Sequence, residues 1–251
     1  VNLFRGGDVM ELRSANPALN KNTFAGFGTA VAGNTMSITG TVNKTALLLG
    51  CVLLTAFYSW SNPQTVGLIP IGAIGGLVFA LITIFKKEWA HITAPLYGLF
   101  EGLFLGTLSL LYERSFPGIV INAVMLTFGT LITLLIAYRS GIIKPTENFK
   151  LGVAAATGGI CIAYFATFIF SLFGIPMTFM HSSSPLGIGI SVVIVIVAAM
   201  NLVLDFDFIE QGAQRGIPKY MEWYAAFGLM VTLIWLYIEI LHLLSKLQRR
   251  R

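Results

Sequence analysis

A chain of 251 residues that is 56% hydrophobic and only 11% charged, with a mean hydropathy of +0.80, is not a water-soluble domain, in which about a quarter of residues are charged. Sixteen Lys and Arg against eleven Asp and Glu leave a formal net charge of +5. The basic residues lie in short connections between apolar runs instead of clustering with aromatics on a polar surface, which argues against nucleic acid as a partner.

Residues 1–41 disperse Asn, Ser, Thr and Gly among a few apolar residues without a sustained period. They are expected to form a cytoplasmic tail, partly lying on the membrane, with no ordinary signal peptide at the front. Gly26-Phe27-Gly28 lacks the third glycine of a dinucleotide fingerprint and follows no strand, so it carries no nucleotide reading. From there to residue 245 the chain reads as a transmembrane bundle, followed by a basic tail over 246–251.

A helix needs about 20 apolar residues to cross roughly 30 Å of hydrocarbon. Seven runs approach or meet that length: Thr45 to Trp60, Val66 to Phe85, Ile92 to Tyr112, Ile119 to Tyr138, Leu151 to Phe173, Leu186 to Leu204, and Tyr224 to Leu244. Ser61-Asn62-Pro63, Phe116-Pro117-Gly118, Gly141 to Pro145 and Ser182 to Pro185 separate them with residues that end helices. The runs are continuous and do not alternate over ten residues, which excludes a membrane barrel. The fold class is therefore all-α, a polytopic membrane bundle of seven helices.

Loop charge sets the expected orientation. Arg5, Arg13, Lys21 and Lys44 precede or open the first run; Lys86 and Lys87 follow the second; Arg139, Lys144 and Lys150 follow the fourth; Arg215 and Lys219 follow the sixth. The intervening connections hold only Arg114, so the N-terminus is predicted inside. Lys246, Arg249, Arg250 and Arg251 break the alternation: seven crossings put them outside, whereas six leave only Arg114 there. Charge counting thus favours six crossings, while the length of the last run favours seven.

Ionisable groups at membrane depth are functional candidates, because hydrocarbon makes them costly. Glu101 lies about 14 Å into the third run at 1.5 Å per residue, close to the midplane. Gly102 and Gly106 follow it at the spacing that lets a neighbouring helix approach closely. Asp205, Asp207 and Glu210 end the sixth run at positions i, i+2 and i+5, which do not share one helix face. Such carboxylates suit weak calcium binding or pH sensing better than zinc. Glu239 and His242 lie in the last run, and His91 and His181 in connections. Cys51 and Cys161 sit singly in apolar runs, a pattern for neither disulfide nor metal. No nucleophile elbow, zinc-protease helix or phosphate loop occurs, so no enzymatic activity and no cofactor are expected.

The seven-run layout, the stretch from Asn201 to Gln211 (NLVLDFDFIEQ) and the closing Gly228 to Leu244 segment resemble the Bax inhibitor-1 (transmembrane Bax inhibitor motif) family. RSANPAL from Arg13 to Leu19, TVNKT from Thr41 to Thr45 and PKYMEWY from Pro218 to Tyr224 are similar to its bacterial, YccA-like branch. The resemblance spans nearly the whole chain and is most specific over 201–244. It implies seven helices with the last in the centre, surrounded by the other six, in a bacterial cytoplasmic membrane.

It further implies a slow, pH-sensitive leak of calcium, gated by one aspartate on the sixth helix and one on the seventh. Asp207 or Asp205 matches the first. At the second position this sequence has Thr232, which cannot titrate, leaving Glu101 or Glu239 as substitutes. The family's latch arginine corresponds loosely to Lys86 or Lys87. The alternative implied by bacterial relatives is a non-transporting protein that binds and modulates a membrane-bound protease through its N-terminal tail.

Overall fold

The computed structural model describes residues 34–174 and 182–250. Arg5, Arg13, Lys21, the Arg13–Leu19 stretch and His181 lie outside them. Among the described residues seven helical segments are long and apolar enough to cross a membrane, the second and third counted from Pro63 and Lys87; their α-helices are α1 (Ile38–Ser61), α2 (Ile69–Phe85), α3 (Ala90–Ser115), α4 (Ile119–Arg139), α5 (Glu147–Leu172), α6 (Pro185–Gln214) and α7 (Met221–Arg249). Short 3₁₀ turns at Pro63–Leu68 and Lys87–Trp89 lead into α2 and α3.

The helix ends follow local chemistry. Ser37, Thr146 and Ser184 cap α1, α5 and α6 by accepting from Gly40, Phe149 and Gly187 N–H, satisfying donors that a helix start leaves open. Pro185 occupies the first turn of α6, where its missing N–H costs nothing. Between α3 and α4 the Glu113 carboxylate accepts from the N–H of Gly118 and Val120 at 2.6 and 3.2 Å, and Gly118 takes φ of 82°, a conformation that glycine adopts without strain.

Several boundaries differ from the hydropathy runs. Helix α1 starts at Ile38, seven residues before its apolar run, because Ser37 caps it. Helix α6 continues ten residues beyond Leu204, so the acidic segment is regular helix rather than a helix end. Helix α7 likewise includes Lys246 and Arg249: polar residues that find partners on neighbouring helices need not leave the bundle.

Successive helices run antiparallel, giving two ends to the bundle. The first face holds the start of α1 and the α2–α3, α4–α5 and α6–α7 connections; the far face holds the other three. Helix α7 begins on the first face, where Glu222 meets Ser37 and Lys44, and ends on the far face, where Arg249 lies over the Phe116 ring and Lys246 reaches Gly187. Its 29 residues span about 43 Å at 1.5 Å each. It therefore runs the whole length of the bundle, which fits seven crossings better than the six favoured by charge counting.

Helix α7 is also the core. Of its most hydropathic window 61% is buried, against 11% for α5 and 17% for α1, α2 and α4. It packs directly on α1, α3, α4 and α6, whereas α2 lies on α3 and α5 on α6. The last helix is thus central, with α1, α3, α4 and α6 packed along it, α5 reaching it through Tyr164 and α2 packed on α3. Leu54, Phe57, Ile74, Met125, Ile162 and Phe165 are exposed on the outer faces, an apolar surface of the kind that contacts lipid. An apolar cavity of about 350 Å³ lies among α1, α3, α4 and α7, with Leu53, Ala56, Val124 and Met230 in its walls.

Candidate functional site

Polar side chains inside the bundle concentrate along α5, α6 and α7. Helix α5 presents one buried stripe, with Lys150 and Thr157 buried and Tyr164 half-buried; the three are spaced by seven residues, two turns, so they share a face. Each binds a different level of its neighbours. Lys150 Nζ stands 2.9 Å from Asp207 Oδ2, Thr157 Oγ1 accepts from Asn201 Nδ2 at 2.8 Å, and the Tyr164 hydroxyl donates to Glu239 Oε1 at 2.7 Å. The three levels extend over about 21 Å, at 1.5 Å per residue.

The first level lies at the first face. Lys150, only 3% exposed, also reaches Glu147 at 3.4 Å, and Gln211 donates to Asp207 Oδ2 at 2.6 Å. One turn on, Tyr138 of α4 donates to Glu210. Asp205 is completely buried. The three acids thus diverge as their spacing requires, with Asp205 inside the bundle and the other two engaged by α5 and α4. Among the described residues no three His, Cys, Asp or Glu side chains gather to hold a metal ion.

Register places Thr232 beside this level. Lys246 Nζ bonds to Ser191 Oγ at 2.7 Å, and α6 and α7 run antiparallel. Fourteen residues back from Lys246 is Thr232, and fourteen on from Ser191 is Asp205, so the two stand level to within about a turn. Thr232 is buried and bonds Gly228 O at 3.3 Å.

The third level lies toward the far face. Glu239, 3% exposed, accepts from Tyr164 and, at 3.1 Å, from Trp235 Nε1. It borders a cavity of about 120 Å³ shared with Tyr112, Ser191, His242 and Lys246.

Residues 34–37 form a strap over the α6–α7 connection. Met36 N–H donates to Ile217 O at 2.7 Å and Lys219 N–H to Asn34 O at 3.0 Å. Buried Glu222 then takes two bonds from Ser37 and an ion pair from Lys44. The strap ties the entry of α1 to the entry of the central helix.

A family model described as Bax inhibitor 1 like matches residues 16–249. The chain belongs to that family. No curated protein and no solved structure matched it.

Within this Bax inhibitor 1 like chain the residues singled out from sequence fall into two groups. Asp205, Asp207, Thr232 and Glu239 lie along the α5–α6–α7 seam, with Glu210 one turn beyond it on Tyr138. Glu101 does not join them: it is half-buried between α3 and α2, where Gly76 leaves room for its carboxyl. Lys87 lies with its ammonium 5.7 Å from the Tyr224 ring centroid, and the cation on Asp207 comes from α5.

Sequence reasoning does not single out Lys150, Tyr138, Tyr164, Glu222 or Lys246 as site residues. The signal for the α5 pair is present in the seven-residue spacing of Lys150, Thr157 and Tyr164 along an apolar helix. Lys246 reads as tail because the apolar run stops just before it.

Proposed function

We propose that this protein permits a slow, pH-sensitive leak of calcium across the bacterial cytoplasmic membrane, without enzymatic activity and with its first face in the cytoplasm. The observation that carries this reading is Asp205, a carboxylate wholly enclosed in α6 beside the central helix, with Asp207 close by in the chain under a lysine. Enclosed acids of this kind mark ion routes in membrane proteins because a hydrocarbon interior selects against them elsewhere. Lys150 and Gln211 hold Asp207, and a cation arriving from the first face competes with Lys150 for it. Lys44, Lys86, Lys87, Arg139, Lys144, Lys150, Arg215 and Lys219 on the first face outnumber Arg114, Lys246, Arg249 and Arg250 on the far face, which supports a cytoplasmic first face.

The test is calcium entry into liposomes loaded with a calcium dye. The parent should leak, Asp205→Asn should reduce the rate about tenfold or more, and Asp207→Asn should change its pH dependence. If no variant passes calcium at any pH, the leak reading falls and the remaining one is modulation of a membrane protease through the N-terminal tail.

A further inference from the structure

We propose that the apolar cavity among α1, α3, α4 and α7 is a lipid-binding site, which takes one hydrocarbon chain of a phospholipid from the far-face leaflet into contact with the central helix. On α1 its lining runs from Leu49 to Trp60, about 16 Å at 1.5 Å per residue, from the middle of that helix to its far-face end. On α4 it starts at Val120, the second residue of the helix, and ends at Phe128 near the middle. The cavity therefore extends from the midplane to the level of the far-face headgroups. Helices α1 and α4 each pack on α3 and α7 rather than on each other, which leaves a slot between them. Leu53 and Phe57, in the α1 wall of that slot, are 54% and 74% exposed. The slot opens sideways to hydrocarbon.

The chemistry of the lining selects the occupant. Its hydroxyls are engaged within the protein: Ser109 Oγ lies 2.6 Å from the Tyr237 hydroxyl, and Thr127 donates to Ala123 O at 2.8 Å. A water needs about two to four polar partners, and this lining does not supply them. A void of about 350 Å³ would forfeit dispersion over its whole wall, and the volume falls among ligand cavities, which run from about 300 to 1,000 Å³. The solvent outside the slot at this depth is hydrocarbon, so a hydrocarbon chain fills it.

The far-face end of the cavity is basic, which favours a chain that carries a phosphate. The Arg249 guanidinium lies 5.6 Å from the ring centroid of Phe116, four positions before Val120, and exposed Arg114 stands two positions before Phe116. A phospholipid whose chain enters the slot holds its phosphate at that level, where guanidinium groups pair well with phosphate. The floor distinguishes this site from ordinary lipid contact. Met230, Leu233 and Ile234 of α7 line it, all three are buried, and a lipid resting on the outer surface of the bundle does not reach them. The site does not depend on the leak reading.

The test is photo-crosslinking in vesicles of phosphatidylethanolamine and phosphatidylglycerol that contain a phosphatidylethanolamine with a diazirine midway along one chain. After irradiation, peptide mapping should find adducts on the α7 segment from Met230 to Tyr237, besides those expected at lipid-facing Ile162 of α5, 71% exposed. Val124→Trp and Ala56→Leu fill the cavity from opposite walls; each should lower the α7 adduct about tenfold relative to the Ile162 adduct. Met125→Trp, next to Val124 but 66% exposed, should leave the ratio as in the parent. A parent labelled only on its outer faces overturns the site, as does α7 labelling that persists in both filled variants. A fatty acid with the same diazirine is the second probe: if it labels α7 and the phospholipid does not, the phospholipid is overturned as occupant.

Discussion

Helices α1 and α3 meet through glycine, whereas α5 meets α6 and α7 through polar pairs. In the first region a Cβ at Gly102 would collide with the Thr55 hydroxyl and the Val52 carbonyl, and one at Gly106 with the Ala56 carbonyl and the Ser59 hydroxyl. Backbones this close gain dispersion along the whole interface, the main attraction between helices in lipid. In the second region a Cβ added at Gly152, Gly158 or Gly159 of α5 would meet nothing within 4 Å, and the helix is held by Lys150, Thr157 and Tyr164. Close packing has one arrangement. A few spaced polar contacts leave more room between the helices, and Asp205, Asp207 and Glu239 lie along that looser seam.

The largest effect should come from closing the tight interface. Gly102→Val has no space on α1 and should destabilise the protein by about 3 kcal/mol or more, at the upper end for overpacked cores, read as a fall in thermal midpoint in detergent. Gly158→Ala faces open space and should shift stability by at most about 1 kcal/mol, in the favourable direction that helix propensity gives. Equal losses at both positions would erase the contrast between the regions.

Next is the pair at the first face. Lys150→Met leaves Asp207 with Gln211 and no ammonium, which should cost about 2 kcal/mol, below the figure for fully buried pairs because Asp207 keeps 14% exposure. Combining it with Asp207→Leu isolates the coupling. Additive losses would mean that the ion pair does not hold α5. In liposomes the same substitution should raise calcium entry severalfold, since it removes the competitor for the carboxylate.

A smaller effect is expected at the middle level. Thr157→Val and Asn201→Leu remove the two ends of one hydrogen bond between neutral groups, and such bonds within membranes average about 0.6 kcal/mol by double-mutant cycle. The Asn201 carbonyl oxygen has no hydrogen-bond partner among the described residues, so Asn201→Leu also relieves an unsatisfied acceptor. Its single-mutant loss should therefore be smaller than that of Thr157→Val. The reverse order would show that Asn201 is better satisfied than its contacts indicate.

Much of the tight region is legible in the sequence and much of the loose one is not. The glycine spacing at 102 and 106 is a local signal, and the seven spans follow from continuous apolar runs broken by Pro, Gly and Asn. Glu101 stands out by depth alone, yet depth carries no azimuth, and Gly76 places it against α2. Loop charge counts Lys246 and Arg249 as solvated tail, whereas they belong to α7 and rest on a carbonyl, a hydroxyl and an aromatic ring. Lys150 and Tyr164 become site residues only when α5 is set against α6 and α7, since their partners lie 57 and 75 positions away.

The last test concerns Thr232, where the quantity read is the pH response rather than stability. Its hydroxyl donates to Gly228 O within α7, so replacing it breaks no described bond to another helix. Thr232→Asp puts a second carboxyl level with Asp205, and two carboxyls that close together share a proton and give it up in a separate step. At that position α7 of the parent has Thr232, which cannot titrate, so α6 and α7 share no such step. Calcium entry into liposomes, measured over a pH series, should therefore depend more steeply on pH in Thr232→Asp than in the parent, while Thr232→Asn, which cannot titrate, should follow the parent. A parent that already switches steeply, loses the switch in Asp207→Asn and is unchanged by Thr232→Asp would show that the pairing of acids lies elsewhere. Asp207 with Glu147 across Lys150 would then be the pair to examine, because it is the one place in the described seam where a single lysine stands between two carboxylates.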